Sequence, residues 1–200
     1  MGNTQESEVA TRLIEAAREC FLSDEYHRVT TRQIAAKAGV AVSMIRYYFG
    51  SKDGLYEDMI RQTLLPLIDA VEQLSLDGDW EFSDFFDLYY STMQKNPRFP
   101  ALILKIMALN QGPGKNVIRQ LLERGRQRGA RRLQEIQGKE FLFKNSEYDL
   151  IRIAFVSLAM LPMLAKPVFE EQMGQVMGPE FLKQLSDFNG CLLKTALQSM

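Results

Sequence analysis

The sequence predicts an all-α chain in two parts, a three-helix head over residues 1–52 and a larger helical domain over residues 53–200. Three observations lead there. Apolar residues recur at three- and four-residue spacing in successive stripes from Leu13 to Leu193. The stretch Val29–Lys52, VTTRQIAAKAGVAVSMIRYYFGSK, divides into two short helices about a glycine turn. Near the C-terminus, two helices carry more apolar surface than one chain of this size readily covers.

Residues 1–7 read as a frayed tail with Ser7 as a cap, and the first helix follows from about Glu8 to Leu22, with Leu13, Ile14, Ala17, Cys20 and Phe21 on one stripe. Thr30 is a good N-cap for the second helix. Gln33, three residues on, can close a capping box, and Val29 and Ile34 stand at the spacing of a hydrophobic staple. Ile34, Ala35 and Ala38 form the inward stripe of two turns, Gly39 can take the left-handed conformation that ends them, and Val40 can pack beneath. A third helix from about Val42 to Tyr48 turns Ile45 and Phe49 inward and leaves Ser43, Met44, Arg46, Tyr47 and Tyr48 outward. A buried Ala/Gly/Val elbow under a polar, aromatic and basic face is the layout of a DNA-binding helix-turn-helix.

Charge points the same way. Residues 26–52 hold five Lys/Arg (Arg28, Arg32, Lys37, Arg46, Lys52) and no acid, in a chain whose net charge is -1. Residues 1–25 hold two basic and six acidic residues, and residues 53–100 three and ten. A localised basic footprint between acidic flanks suits a specific polyanion contact rather than loose adhesion. The plainer alternative is a three-helix core with a solvated basic face.

TTRQIAAKAGVAVSMIRYYFGSKDGLY resembles the helix-turn-helix signature of the TetR family of bacterial transcriptional regulators, strongly over residues 8–62 and beyond that in length and helical layout. The resemblance implies a C-terminal helical domain that binds a ligand and forms a homodimer. It places Thr31 and Lys52 where the family touches phosphates, Arg32 where a base edge or phosphate is reached, and Ser43, Met44, Tyr47 and Tyr48 on the recognition helix. With the capping pair Thr30 and Gln33 and with Arg46, these make the candidate DNA-binding set. Two positions depart from the common pattern. Arg46 stands where Tyr is usual, and can donate two hydrogen bonds to guanine, clamp a phosphate or pair with an acid on the first or fourth helix. Ala41 stands where a capping Ser is usual, so that Ser43 is expected to cap instead.

His27, the only histidine, falls in the loop before the second helix without a partner to make a metal or catalytic site, so it reads as a surface or phosphate-neighbour residue. The fourth helix begins after Ser51, with Asp53 in its first turn where the helix dipole favours an acid. Leu55, Met59 and Ile60 face the head, and Leu64, Leu67, Ile68 and Val71 the rest. Pro66 is expected to kink or break this helix near residues 61–63. If the helix continues, it is a natural lever; otherwise Pro66 starts a separate one. After the loop LSLDGDW, an aromatic fifth helix spans about Glu81–Lys95 and a sixth about Pro100–Leu109. Such stripes serve mostly as core, yet large aromatics with flexible Met form an adaptable apolar lining. Phe86, Tyr89, Tyr90, Met93, Ile103, Met107 and Met160 are the candidate ligand pocket.

GPGKNV lacks the spacing and Lys-Ser/Thr ending of a phosphate loop, and reads as a helix start with Pro113 in the first turn. The seventh helix then runs to about Ile136. Residues 101–145 hold ten Lys/Arg against three acids. A solvated face is the first reading; a second DNA contact, or pairing of Arg124, Arg128 or Arg131 with an acidic ligand or the acidic 77–87 segment, are others. An eighth helix, about Glu147–Lys166 and capped by Asn145 or Ser146, has no charge between Arg152 and Lys166 and is expected to be buried all round. A ninth, about Pro179–Gln198, carries Phe181, Leu182, Leu185, Phe188, Leu192 and Leu193. Meeting their symmetry mates, these two would form a four-helix dimer seam; an intramolecular bundle is the alternative.

Composition bounds the rest. The chain is 46% hydrophobic and 24% charged, ordinary for a globular protein. Cys20 and Cys191 read as small buried hydrophobes of a reducing compartment. The polar, partly acidic N-terminus is no signal peptide, and the longest uncharged stretch, residues 153–165, falls short of the ~20 residues a membrane span needs. A cytoplasmic protein with no membrane partner is expected. Nothing in the spacing of carboxylates, Ser/His/Asp or metal ligands points to an enzyme, and no catalytic residue, metal or cofactor is expected. The expected partners are double-stranded DNA bearing a palindromic operator, a second copy of the chain, and a small, largely apolar effector whose binding releases a repressor.

Overall fold

In the structure, a computed structural model, the backbone is described for residues 2–73, 81–110, 112–137 and 145–199, and side chains over 8–67, 81–110, 112–127 and 149–199. The described residues form ten helices and no strand. They are α1 (Gly2–Ser23), α2 (Thr31–Ala38), α3 (Ser43–Phe49), α4 (Lys52–Gln73), α5 (Phe82–Lys95), α6 (Phe99–Leu109), α7 (Lys115–Gln137), α8 (Asn145–Leu164), α9 (Lys166–Met173) and α10 (Pro179–Gln198). The loop expected over 74–80, with Trp80, and residues 138–144 lie outside the described residues.

The helices pack as two units. One comprises residues 1–65 with 102–119, the other residues 66–101 with 120–200. The packed head is thus larger than the 1–52 segment expected from sequence, because the first part of α4, most of α6 and the start of α7 share its core. Leu13, Ile14, Ala17 and Phe21 of α1 are buried there with Ile34, Ala35, Ile45, Leu55, Met59 and Ile60, and with Ile106, Val117 and Ile118. Arg18 Nε donates to Thr63 Oγ1 at 3.2 Å, and that buried hydroxyl donates in turn to the Met59 carbonyl at 2.9 Å. α1 begins at Gly2 instead of near Glu8, since nothing between residues 3 and 7 breaks a helix.

α4 begins as its sequence predicts, with the Gly54 N–H donating to Ser51 Oγ at 3.0 Å. It does not break at Pro66. Leu64 and Leu67 on either side of the proline are both buried, and that packing holds the helix together where the ring removes a backbone hydrogen bond. The division between the two packing units falls at this same point, between Leu65 and Pro66. Pro113 is not in the first turn of α7. It lies in a turn between Gly112 (φ +81°) and Gly114 (φ +84°), and the helix starts at Lys115. Gly114 is buried in the head, where a Cβ would fall 2.5 Å from Ile60 Cδ1 and 3.1 Å from the Tyr56 ring.

In the second unit α10 packs along α5, and α8 lies against both. Phe155 of α8 meets the Phe85 and Phe86 rings, each at 4.9 Å between centroids. Tyr90 Oη donates to the Leu158 carbonyl at 2.9 Å and accepts from Asn189 Nδ2 at 3.0 Å, a polar tie among α5, α8 and α10 that is buried on the Asn189 side. Around the edge, Lys183 joins Asp87 and Asp187 at 2.8 Å each, and Lys194 joins Glu81 at 2.7 Å. Among the described acids of the 77–87 segment, Glu81 and Asp87 pair with α10; the side chains of Arg128 and Arg131 lie outside the described residues. Arg126 chelates its own helix's Glu123, whose carboxyl is held down to about 2 by hydrogen bonds from Arg126 and Gln127.

One expectation for the C-terminal region is corrected. A short extra helix, α9, follows α8 at a bend of 69°, opened by Pro167 and closed by Gly174 in the left-handed conformation. The sequence predicts helix eight as far as Lys166 and loop beyond; the local signals, Pro one residue in and Gly just past the end, are present. In the single chain Leu150, Ile153 and Leu161 of α8 are exposed, because α5 and α10 cover only part of its circumference, in keeping with more apolar surface there than one chain covers. α10 itself runs Pro179–Gln198, as its Gly-Pro start predicts. Among the described residues no single helix is long and apolar enough to cross a membrane.

Gly114→Ala is expected to destabilise the protein by about 2–4 kcal/mol, combining left-handed strain with overpacking. Gly39→Ala, also at positive φ but with open space around the new methyl, should lose only about 1 kcal/mol. Urea unfolding of the two variants checks the difference.

Candidate nucleic-acid interface

The candidate site is built on α2 and α3. Thr30 has extended backbone, and its Oγ1 accepts the Gln33 N–H at 3.2 Å while Gln33 Oε1 accepts the Thr30 N–H at 2.7 Å. The capping box read from the sequence is therefore present. It engages Gln33: the side-chain oxygen grouped with the DNA-contacting residues is bonded to its own helix start. Gly39 closes α2 at φ +66°, its N–H and that of Val40 returning to carbonyls of the last turn. Only three residues separate Gly39 from α3. That short left-handed corner turns the chain sharply, and Ile45, the one buried residue of α3, is inside the head as Ile34 and Ala35 of α2 are.

With Ile45 inward, the opposite side of α3 faces solvent. Ser43 and Arg46 are exposed, Tyr47 is 67% exposed, and Met44 and Tyr48 are half-buried. Tyr47 and Tyr48 stand edge to face, 4.8 Å between centroids. On α2, Arg32 is exposed beside a half-buried Thr31. Arg46 has no ion-pair partner among the described residues, so the acid pairing weighed from sequence is not found there. Ser43 does not cap α3: Val42 takes the N-cap position, with no side-chain bond. With Ala41 in place of a hydroxyl, the start of α3 rests on the backbone turn alone.

Lys52 does more within the chain than its sequence position suggests. Its Nζ donates to the Tyr26 carbonyl at 2.5 Å and lies 4.1 Å from the centre of the Tyr26 ring, and partial burial lowers its pKa. The Tyr26 hydroxyl in turn bonds Asp53, while its ring stacks on Phe21 and meets the edge of Tyr56. Burial and the Asp53 carboxylate push that phenol's pKa far up. The clamp ties the 24–30 loop to the start of α4, and with it the entry into α2. Sequence reasoning does not single out Tyr26, whose partners lie 26 and 27 residues away and follow no local pattern. Two further ties serve the same loop and helix, Glu25 to Lys105 at 3.5 Å and Glu19 to Lys37 at 2.7 Å. Lys37, counted in the basic footprint, is thereby partly neutralised. His27 is exposed, 3.3 Å from Glu25.

The candidate ligand-lining residues divide. Phe86, Tyr89, Tyr90 and Met93 are buried together on α5, with half-buried Met160 on α8, all in the second unit. Ile103 and Met107 lie on the part of α6 that belongs to the head, where Ile103 is buried. The sequence places α5 and α6 side by side in order but does not show that the packing boundary runs through α6.

Residues 13–59, which hold most of this geometry, match the family model described as bacterial regulatory proteins, tetR family. The chain is 40% identical over 67 residues to the HTH-type transcriptional regulator BetI 1 of Chromohalobacter salexigens, covering 34% of this chain and 33% of that one. It is 40% identical over 60 residues to the regulator BetI of Escherichia coli, covering 30% and 31%. The match thus spans about a third of the length of these curated relatives. Over the whole fold the chain is similar to a transcriptional regulator from Aquifex aeolicus VF5, with TM-score 0.65, 15% identity and coverage of 90% of this chain and 96% of that one. It is also similar to the fatty acid degradation regulator FadR of Bacillus halodurans, with TM-score 0.64, 13% identity and coverage of 92% and 96%.

Thr30→Ala should lower stability by about 1 kcal/mol in urea unfolding, whereas Thr30→Ser should be close to neutral, because only the hydroxyl serves the cap.

Proposed function

Because this chain belongs to the tetR family of bacterial regulatory proteins, we propose that it is a homodimeric, sequence-specific DNA-binding regulator of transcription. In this reading it is a repressor that leaves a palindromic operator when a small molecule binds its helical domain. The observation that carries the DNA contact is the outward face of α3, with Arg46 and Tyr47 exposed on a helix held from behind by Ile45. An arginine on such a helix can donate twice to a guanine edge, and a tyrosine beside it offers apolar contact to a thymine methyl. Thr31, Arg32 and Lys52 surround α3 as phosphate or base-edge contacts. Lys52 keeps donors for a phosphate beside its bond to Tyr26, since an ammonium carries three. Residues 1–52 are the DNA-contacting segment in this reading, and residues 53–200 the effector and dimer domain.

The dimer is supported by what the second unit leaves uncovered. Leu150, Ile153 and Leu161 share one face of α8, and Phe188 and Leu192 are exposed on the neighbouring α10. Large apolar side chains gathered on adjoining helices mark an interaction surface. A two-fold axis there makes a four-helix seam, which brings two recognition helices to the spacing of successive major grooves, about 34 Å. An effector that binds better to a different spacing lowers operator affinity by that difference in binding free energy. The effector lining in this reading is the apolar, aromatic group of α5 and α8.

In gel retardation the protein is expected to shift a palindromic duplex taken from beside its own gene, with affinity falling steeply as salt rises. A random duplex competing equally well would sink the regulator reading. Arg46→Ala should weaken specific binding by about 1–3 kcal/mol with helicity unchanged.

The double variant Ile153→Glu, Phe188→Glu is expected to sediment as a monomer and to lose the palindrome while keeping weak half-site binding. A variant that stays dimeric would move the seam elsewhere.

A further inference from the structure

Tyr89 and Tyr90 are neighbours on α5, and the fold treats their hydroxyls in opposite ways. Tyr90 Oη is fully used, donating to Leu158 and accepting from Asn189. Tyr89 is only 6% exposed, yet its hydroxyl has no hydrogen-bond partner among the described residues. Burying an unpaired hydroxyl is unfavourable, and Phe would fill the same space without that penalty. Phe86 three residues before and Met93 four residues after share its helix face and are wholly buried, so the polar atom is set in an apolar surround. The buried polar residues described in this unit are Thr92, Ser186 and Asn189, and none of its described Lys, Arg, Asp or Glu is buried. Burial, then the neighbouring Tyr90, push the Tyr89 phenol's pKa far up, so it stays protonated and offers a proton.

We infer, resting on the reading of this unit as an effector domain, that the Tyr89 hydroxyl is the anchoring donor for the effector. The ligand class it selects is a neutral, largely apolar molecule carrying one hydrogen-bond acceptor, such as a carbonyl oxygen.

Tyr89→Phe tests this, since it deletes the hydroxyl alone. Without ligand, the full-length variant is expected to melt at or above the wild-type Tm. A fall of more than about 3 °C would mean that the hydroxyl is already paired, through an ordered water or otherwise, and would overturn the assignment. Calorimetric titration then compares acetophenone with isopropylbenzene and benzophenone with 1,1-diphenylethylene, pairs that differ in the carbonyl. The wild type should bind at least one ketone about tenfold more tightly than its hydrocarbon, and Tyr89→Phe should bind the two alike. Equal affinities in the wild type, or no saturable binding of either ketone, would also overturn it. Gel retardation alongside keeps the two readings apart. Wild type that retards its palindrome but shows no ketone preference loses the anchor alone, and wild type that ignores sequence loses the regulator and leaves the ketone result standing.

Discussion

A seven-residue helix has no stability of its own in water, and α3 is seven residues long, without a side-chain cap and with one fully buried side chain, Ile45. What holds it is the elbow behind it. The Thr30–Gln33 box fixes where α2 starts, Gly39 fixes where it ends, and the three residues between Gly39 and α3 leave the chain little choice of direction. Ile45, buried like Ile34 and Ala35 of α2, then anchors the corner in the core. The outward face is a consequence: once Ile45 is inside, Arg46 and Tyr47 have to be outside. The face proposed to read DNA is thus set by packing on the side that touches no DNA.

The head supports this elbow from several directions. The Lys52–Tyr26–Asp53 clamp holds the loop that enters α2, and Lys37–Glu19 and Lys105–Glu25 add surface ties. Exposed ion pairs of that kind contribute little singly. The partly buried lysine, with a carbonyl, a ring and a neighbouring carboxylate around it, is the firmer constraint. Gly114 closes the same unit from another side, at a positive φ and in close approach to Ile60 and Tyr56.

The second unit is organised differently. Its centre is the α5–α10 contact, and its one fully paired buried phenol, Tyr90, bonds α8 through Leu158 and α10 through Asn189. Against that economy two features stand out, the unpaired Tyr89 hydroxyl and the exposed apolar faces of α8 and α10. The first is an internal polar atom and the second an external apolar surface. Each is unfavourable in an isolated chain, and in the proposed reading each is relieved by a partner, a small molecule in one case and a second protomer in the other.

How much of this is legible in the amino-acid order depends on the range of the interaction. The cap at Thr30, the end at Gly39, Ser51 before α4 and the Gly178-Pro179 start of α10 are all readable, because each is decided by residues three or four apart within one turn. The apolar stripes and the basic segment are readable for the same reason. The sequence alone determined an all-helical chain with a helix-turn-helix near its start. Only the tertiary structure decided that α4 passes Pro66 unbroken, that Lys52 is turned onto Tyr26, that α6 is shared between two packing units, and that one side of α8 is left open. Those outcomes turn on contacts between residues tens of positions apart, where the burial of one side chain depends on which helix lies across from it, and no local spacing encodes that choice.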